Sequence, residues 1–401
     1  MCYAGSMPTF RPFPGLRYDA RIPLAQVIAP PYDVVGPAER ATLAARHSAN
    51  AIHVELPAED PRAGLDRYQA AARTFATWRQ EGVLVPDAPA FYGYRMTEPD
   101  GGTTTGVLGA LGCEPPGQGI LPHEETTPKD KSDRLDLIRA CRANLSPIWG
   151  LSLGAGAAAA YAPEGPPDAE AVDDEGVRHE LWVIDDPDRI ERICAAVDAA
   201  PVVIADGHHR YETALTYQAE RRAARDGAGG DYDFVMALVV ELAEGQLQVG
   251  PIHRTLSGVP DDVDLVEVFD RYFDLVHAGP ADEALVDSVL RSGALALVTA
   301  SHVWLLTPRE QTYAEADSDL DSSVVALATA AVPGIAVRYV HDPMAAAAEV
   351  LSGQVQASVF LRPVTVAQIS AWAHARRRMP PKSTYFHPKP RTGMVFRPVE
   401  D

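Results

Sequence analysis

Val202-Val203-Ile204-Ala205-Asp206-Gly207-His208-His209-Arg210-Tyr211-Glu212-Thr213-Ala214-Leu215 reads as a strand that runs through a glycine straight into a helix. Three consecutive β-branched apolar residues without polar alternation mark a strand covered on both faces. The strand is expected over 201–205 and the helix over 211–225. Such a turn leaves backbone N–H groups unpaired at the positive end of the helix dipole. It is an anion site before any side chain is counted. Gly207 can take backbone angles closed to other residues and lets a phosphate approach. His208 and His209 add donors, and Arg210 can grip two oxygens at once. Asp206 can hold magnesium through oxygen or orient a histidine. The plain alternative makes Asp206 a helix cap and the histidines structural. Capping alone does not account for four chargeable residues clustered behind a buried strand.

Outward from this turn, helical and extended patterns alternate along the chain, which indicates an α/β or mixed α+β fold. Toward the N-terminus, helices are expected over 37–47, 65–81 and 130–145. Strands are expected over 51–56 and 148–153, and a hairpin joins 90–96 to 106–111 across Asp100-Gly101-Gly102. Residues 154–176, rich in Ala, Pro and Gly, read as a flexible insert or domain junction. A strand over 179–185 and a helix over 187–199 lead into the decisive turn. Beyond it, 234–241 and 246–251 read as a strand pair. Helices follow over 264–272, 281–292, 322–331, 343–352 and 366–377, with strands at 335–341 and 357–364 and a hairpin over 294–307. The tail over 380–399 is extended. Three regions are expected: 1–115, a core over 116–255 with an insert at about 154–178, and 256–401 with its basic tail.

Other stretches carry candidate chemistry. Leu121-Pro122-His123-Glu124-Glu125-Thr126-Thr127-Pro128-Lys129-Asp130-Lys131-Ser132-Asp133-Arg134 brings paired carboxylates beside cations. Neighbouring carboxylates raise one another's pKa, which suits a general base, and they can equally hold magnesium. Lys129, Lys131 and Arg134 can balance phosphate charge; a solvated helix start is the bland reading. In Pro30-Pro31-Tyr32-Asp33, the residues Tyr32 and Asp33 are substrate-binding candidates if they face the same pocket. His253 and Arg254 join them as residues expected at a strand end. Lys382, His387 and Lys389 lie in an extended basic segment, expected against the pocket of Arg210.

With 401 residues and 46% apolar content, the chain can bury a sizeable core. A net charge of −20 argues against bulk nucleic-acid binding. The four cysteines, Cys2, Cys113, Cys141 and Cys194, show no paired spacing, which fits a reducing compartment. No apolar run approaches the ~18 residues of a membrane span. A cytoplasmic protein without membrane or nucleic-acid partners is expected.

Pro30-Pro31-Tyr32-Asp33-Val34, His123-Glu124, Asp206 to Ala214, and Lys382-Ser383-Thr384-Tyr385-Phe386 through Thr392-Gly393 together resemble the domain-of-unknown-function family ten-fifteen. The Gly207, His209, Arg210 core is also similar to the phosphate motif of the ParB and sulfiredoxin superfamily. Pro122-His123-Glu124, a helix, Pro147-Ile148 and Asp206-Gly207-His208 follow the order seen in its free-serine kinases. That likeness implies a ParB/sulfiredoxin-like nucleotide-binding core, with Glu124 as the base toward a substrate hydroxyl. It implies Gly207, His209 and Arg210 as the phosphate grip.

The expected activity is transfer of phosphate from ADP or ATP, with Mg2+, to the hydroxyl of a small molecule such as free L-serine. Glu124, Asp206 and His208 are the catalytic candidates. Gly207, His209, Arg210, Thr213, Lys129, Lys131 and Arg134 are the nucleotide-binding candidates. Tyr32, Asp33, His123, His253 and Arg254 face the substrate, and Asp206 and Glu125 the metal. Either Glu124 or Glu125 can be the base, and the chain is compatible with a homodimer. The competing readings are a nucleotide-binding switch without a hydroxyl substrate and, last, a metal-dependent hydrolase built on His123, His208, His209 and His253.

Overall fold

The computed structural model describes residues 7–124 and 132–400. Two compact units are present: one holds the chain up to residue 248 with residues 373–376 and 388–400, the other holds 249–372 and 377–387.

The first unit is built on a ten-stranded mixed sheet. Its main path runs Ile120–Pro122, Val202–Asp206, Ile148–Ser152, Phe234–Glu241, Thr103–Gly112, Leu84–Thr97, Arg178–Ile184 and Ala169–Val172. Strands Phe10–Arg11 and Phe13–Tyr18 pair beside it. Strands from both sides of residue 115 thus share one sheet. Val202–Asp206 runs parallel to Ile120–Pro122 and antiparallel to Ile148–Ser152. Val202 and Val203 are fully buried, which is why the sequence there shows an apolar run and no alternation. The hairpin Leu84–Thr97 to Thr103–Gly112 forms as expected, though longer. Asp100 accepts the Gly102 N–H at its turn.

The helix Arg67–Gln80 starts at a capping box of Asp66 and Gln69 and buries Ala71, Phe75 and Trp78. Its core includes Phe396 from the tail, and the Leu16 and Phe396 backbones bond each other at 2.9 Å in both directions. Cys113, Cys141 and Cys194 are unbridged. Among the described residues no helix is long and apolar enough to cross a membrane.

The second unit is a six-stranded antiparallel sheet in the order Phe273–Pro280, His302–Pro308, Ala296–Thr299, Ala357–Phe360, His253–Ser257, Ala336–Val340. Helices Leu265–Asp270 and Asp321–Ala330 pack Phe269 and Val324 into its core.

Several local expectations need correction. Residues 51–56 form a helical turn, Ile52–Glu55, because the Asn50 side chain caps the Ile52 N–H and Ile52, Val54 and Glu55 are all buried. Residues 154–176 carry a helical turn, Ala157–Ala160, and a sheet strand, Ala169–Val172, with Tyr161 fully buried. Phe234–Glu241 does not pair with Gln248–Gly250 but lies between Thr103–Gly112 and Ile148–Ser152. The helix expected over 130–145 ends at Cys141, and Ala143–Asn144 pairs with Arg397–Pro398. His253–Ser257 is itself the strand, not the residue run after one.

Candidate functional site

Val202–Asp206 ends at Gly207, whose φ of 87° and ψ of 27° are left-handed, and the helix His208–Ala224 begins at once. The helix therefore starts three residues earlier than the sequence pattern suggested. A Cβ at Gly207 would stand 3.0 Å from Arg210 Nε, so shape as well as φ demands glycine. The first amides of this helix have no acceptor inside it and point out of its positive end.

Four charged groups converge on the turn. Arg210 Nη2 donates to Asp206 Oδ2 at 2.6 Å, and its Nη1 donates to the carbonyl of Pro147. Lys389 Nζ donates at 2.9 Å to Asp206 Oδ1 and at 2.9 Å to Asp33 Oδ2. Burial alone would push the Asp206 carboxyl up, but Lys389 and Arg210 hold it down to about 2. The fork expected on phosphate is thus engaged inside the protein. Each oxygen of Asp206 already accepts from a cation. Among the described residues no cluster of three or more His, Cys, Asp or Glu could hold a metal ion.

A second group approaches from the neighbouring strand. His123 follows Ile120–Pro122, and its Nδ1 lies 2.6 Å from the carbonyl of Ile204. A carbonyl only accepts, so Nδ1 carries the proton and the ring orientation is fixed. The other nitrogen, Nε2, lies 3.5 Å from Glu124 Oε2. The His123 and His208 rings stand 5.0 Å apart. Burial, with His123 beside it, depresses His208 to about 3, so this imidazole is neutral near pH 7. Its buried Nε2 has no hydrogen-bond partner among the described residues. Glu124, His123, His208 and Asp206 thus belong to one electrostatic neighbourhood.

Tyr32 and Arg134 lie close by. The Arg134 guanidinium sits 4.1 Å over the Tyr32 ring, donates to Asp133, and reaches the Glu55 carbonyl at 2.8 Å. Its donors are therefore largely taken. Arg134, Arg210, Thr213, Glu55 and Ser146 border a cavity of about 50 Å³. That space suits a few water molecules. Arg210 Nε and Thr213 Oγ1 have no partner among the described residues. Glu55, buried and bonded to Ser146 at 2.9 Å, went unnoticed in the sequence because it was read as part of a strand.

Glu125, Lys129 and Lys131 lie outside the described residues. His209 is on the first turn of the helix. His253 and Arg254 belong to the second unit, where His253 Nδ1 accepts the Leu361 N–H and Arg254 lies over Tyr339. Lys382 and His387 are also in that unit, whereas Lys389 is in the first.

Among curated proteins, none matches this sequence significantly. Solved structures with some likeness include a conserved hypothetical protein from Pyrococcus furiosus, at 14% identity over 67% of this chain and 87% of that one, with a TM-score of 0.34. A free serine kinase in complex with AMP matches at 13% identity over 67% and 84%, with a TM-score of 0.35. A C-terminally truncated SbnI from Staphylococcus aureus matches at 12% identity over 71% and 84%, with a TM-score of 0.37. The model of one family, described as protein of unknown function (DUF1015), matches residues 10–327. That match spans the converging strands, the Gly207 turn and its helix, and the chain belongs to the DUF1015 family.

Proposed function

We propose that the protein is a nucleotide-dependent phosphotransferase whose acceptor is the hydroxyl of a small molecule, an amino acid such as free L-serine, with ADP or ATP as donor. The observation that carries this reading is the joining of Glu124 and a neutral, buried His208 to a glycine turn that opens a helix between Arg210 and Lys389.

In this reading the terminal phosphate of the nucleotide lies over the first amides of His208–Ala224, where Gly207 offers no Cβ to block it. Arg210 and Lys389 exchange part of their hold on Asp206 for phosphate oxygens, and His209 lends a further donor. Glu124 takes the proton of the acceptor hydroxyl as its oxygen attacks the phosphorus and the nucleotide leaves one phosphate shorter. His123, fixed by the Ile204 carbonyl, stands beside that carboxylate. Tyr32 and Asp33 border the acceptor. Phosphoryl transfer asks chiefly for positioning and charge stabilisation, and these groups supply both.

Serine, threonine and homoserine, each offered with ADP and with ATP, test the reading. At least one becomes phosphorylated, and Glu124→Gln keeps nucleotide affinity while turnover falls by roughly 10²–10⁴-fold, the usual contribution of a general base. If no hydroxyl compound is phosphorylated, a nucleotide-binding switch replaces the transferase. If Glu124→Gln transfers at the unaltered rate, Glu124 is not the base.

A further inference from the structure

Lys389 stands in Pro388-Lys389-Pro390, where both neighbours restrict the backbone. Two residues on, Arg391 is buried. Its Nε donates to Asp173 Oδ2 at 2.7 Å, its Nη2 donates to the same oxygen, and Nη2 also lies 3.1 Å from Glu175. Its backbone N–H donates to the Tyr94 hydroxyl at 3.1 Å. Next in line, Thr392 and Ala29 bond in both directions, at 2.8 and 3.0 Å. Ala29 opens the Pro30-Pro31-Tyr32-Asp33 segment, so one clip fixes the roots of both Lys389 and Asp33.

Asp173 is the hub of this clip. Its Oδ1 accepts the Glu175 and Val177 N–H groups at 2.9 and 3.0 Å and shapes its own turn. Its Oδ2 takes Arg391 and also lies 2.8 Å from His179 Nε2. A carboxylate only accepts, so Nε2 carries the His179 proton. The other ring nitrogen then accepts from the Tyr94 hydroxyl, 2.8 Å away. Tyr94 and His179 are inaccessible to solvent. Burial also lowers His179. Along Asp173, His179 and Tyr94 the His179 proton thus faces Asp173 and the Tyr94 proton faces His179.

We infer that Asp173 is a positioning residue for the Gly207 site, acting through Arg391 to hold Lys389 on Asp206 and Asp33. The inference rests on the phosphotransferase reading for its consequence in nucleotide binding, and on the contacts alone for the placement of Lys389. Asp173 touches no reacting atom. Its effect reaches the site by way of two residues of proline-stiffened backbone.

The test is Asp173→Asn in the full chain, which keeps one oxygen for the local turn and loses the acceptor for Arg391 and His179. The sequence has four lysines, Lys129, Lys131, Lys382 and Lys389, so an amine-acylating reagent read by mass spectrometry resolves each one. Lys389 is expected to react at least about tenfold faster in Asp173→Asn, the scale of a lost charge-assisted bond, while exposed Lys382 keeps its rate. An unchanged Lys389 rate overturns the inference. Should Asp173→Asn not fold, Tyr94→Phe removes one hydroxyl and keeps the ring; about a fivefold acceleration is expected, and none overturns the inference. ADP titration adds the readout that a general loss of structure would not give. Asp173→Asn weakens ADP binding in the natural background and adds nothing once Lys389→Ala is present. Equal weakening in both backgrounds overturns the route through Lys389. If ADP does not bind the unaltered protein, the phosphotransferase reading falls, and the labelling rates alone decide the positioning role.

Discussion

Lys389 and Asp206 lie 183 residues apart in the chain and share a 2.9 Å hydrogen bond at the start of the helix His208–Ala224. The same ammonium also reaches Asp33, so a single cation separates two carboxylates. Burial would lower the Lys389 ammonium, and the two acids raise it. The pair therefore stays ionised while partly buried, a state that costs stability as soon as one member is removed.

Lys389→Met keeps the length of the side chain and removes its charge. Asp33 and Asp206 then face each other with only Arg210 left to balance Asp206. A loss of about 3 kcal/mol is expected in denaturant unfolding. A loss within experimental error of zero would show that Lys389 does not hold these acids in solution.

Gly207→Ala places a methyl group at a left-handed position, 3.0 Å from the Arg210 side chain. The left-handed conformation alone costs an alanine about 1–2 kcal/mol. Displacing Arg210 from Asp206 adds to that. The variant is expected to melt lower and to lose nucleotide affinity in calorimetric titration. An unchanged Tm together with unchanged affinity would rule out the turn as the phosphate site.

His208 is depressed to about 3 by burial, whereas an unfolded histidine titrates near ~6.5. Between those values the unfolded chain binds the proton and the folded chain does not. Stability is therefore fully present above about pH 6.5 and falls as the pH drops toward 3, by at most about 1.4 kcal/mol per pH unit from this group. His208→Gln should flatten the fall in Tm between pH 7 and pH 5, worth about 2 kcal/mol from this group, by roughly 4–8 °C. His253, depressed to about 4, contributes in the same direction, so the His208 share is the difference between the two proteins. Parallel profiles would mean that His208 is not buried neutral.

The parts of the site legible in the sequence are those written by local rules. Val202, Val203 and Ile204 betray a strand covered on both faces, and Gly207 marks the break after it. The helix start escaped by three residues because His208 and His209 resemble loop composition. Ile52 to Glu55 misled for the opposite reason. Alternation of Ile52 and Val54 with His53 and Glu55 mimics a strand, while the Asn50 cap and the burial of Glu55 beside Ser146 decide for a turn of helix. Those deciding partners lie outside any local window. The bond between Lys389 and Asp206 has no local signature either. The proline on each side of Lys389 says only that the segment is extended, not what it meets.

The route of the chain has a consequence for biosynthesis. It leaves the first unit at residue 248, returns to it briefly over 373–376, and rejoins it again at 388, where Lys389, Arg391, Phe396 and Arg397 take their places. A ribosome delivers those residues only after the whole second unit has been made. Until then the nascent first unit must wait with the Ala143–Asn144 strand unpaired, the core around Phe75 lacking Phe396, and Asp206 without Lys389. The Gly207 site therefore cannot be assembled as the sheet emerges; it is completed only once the segment carrying Lys389 has been translated.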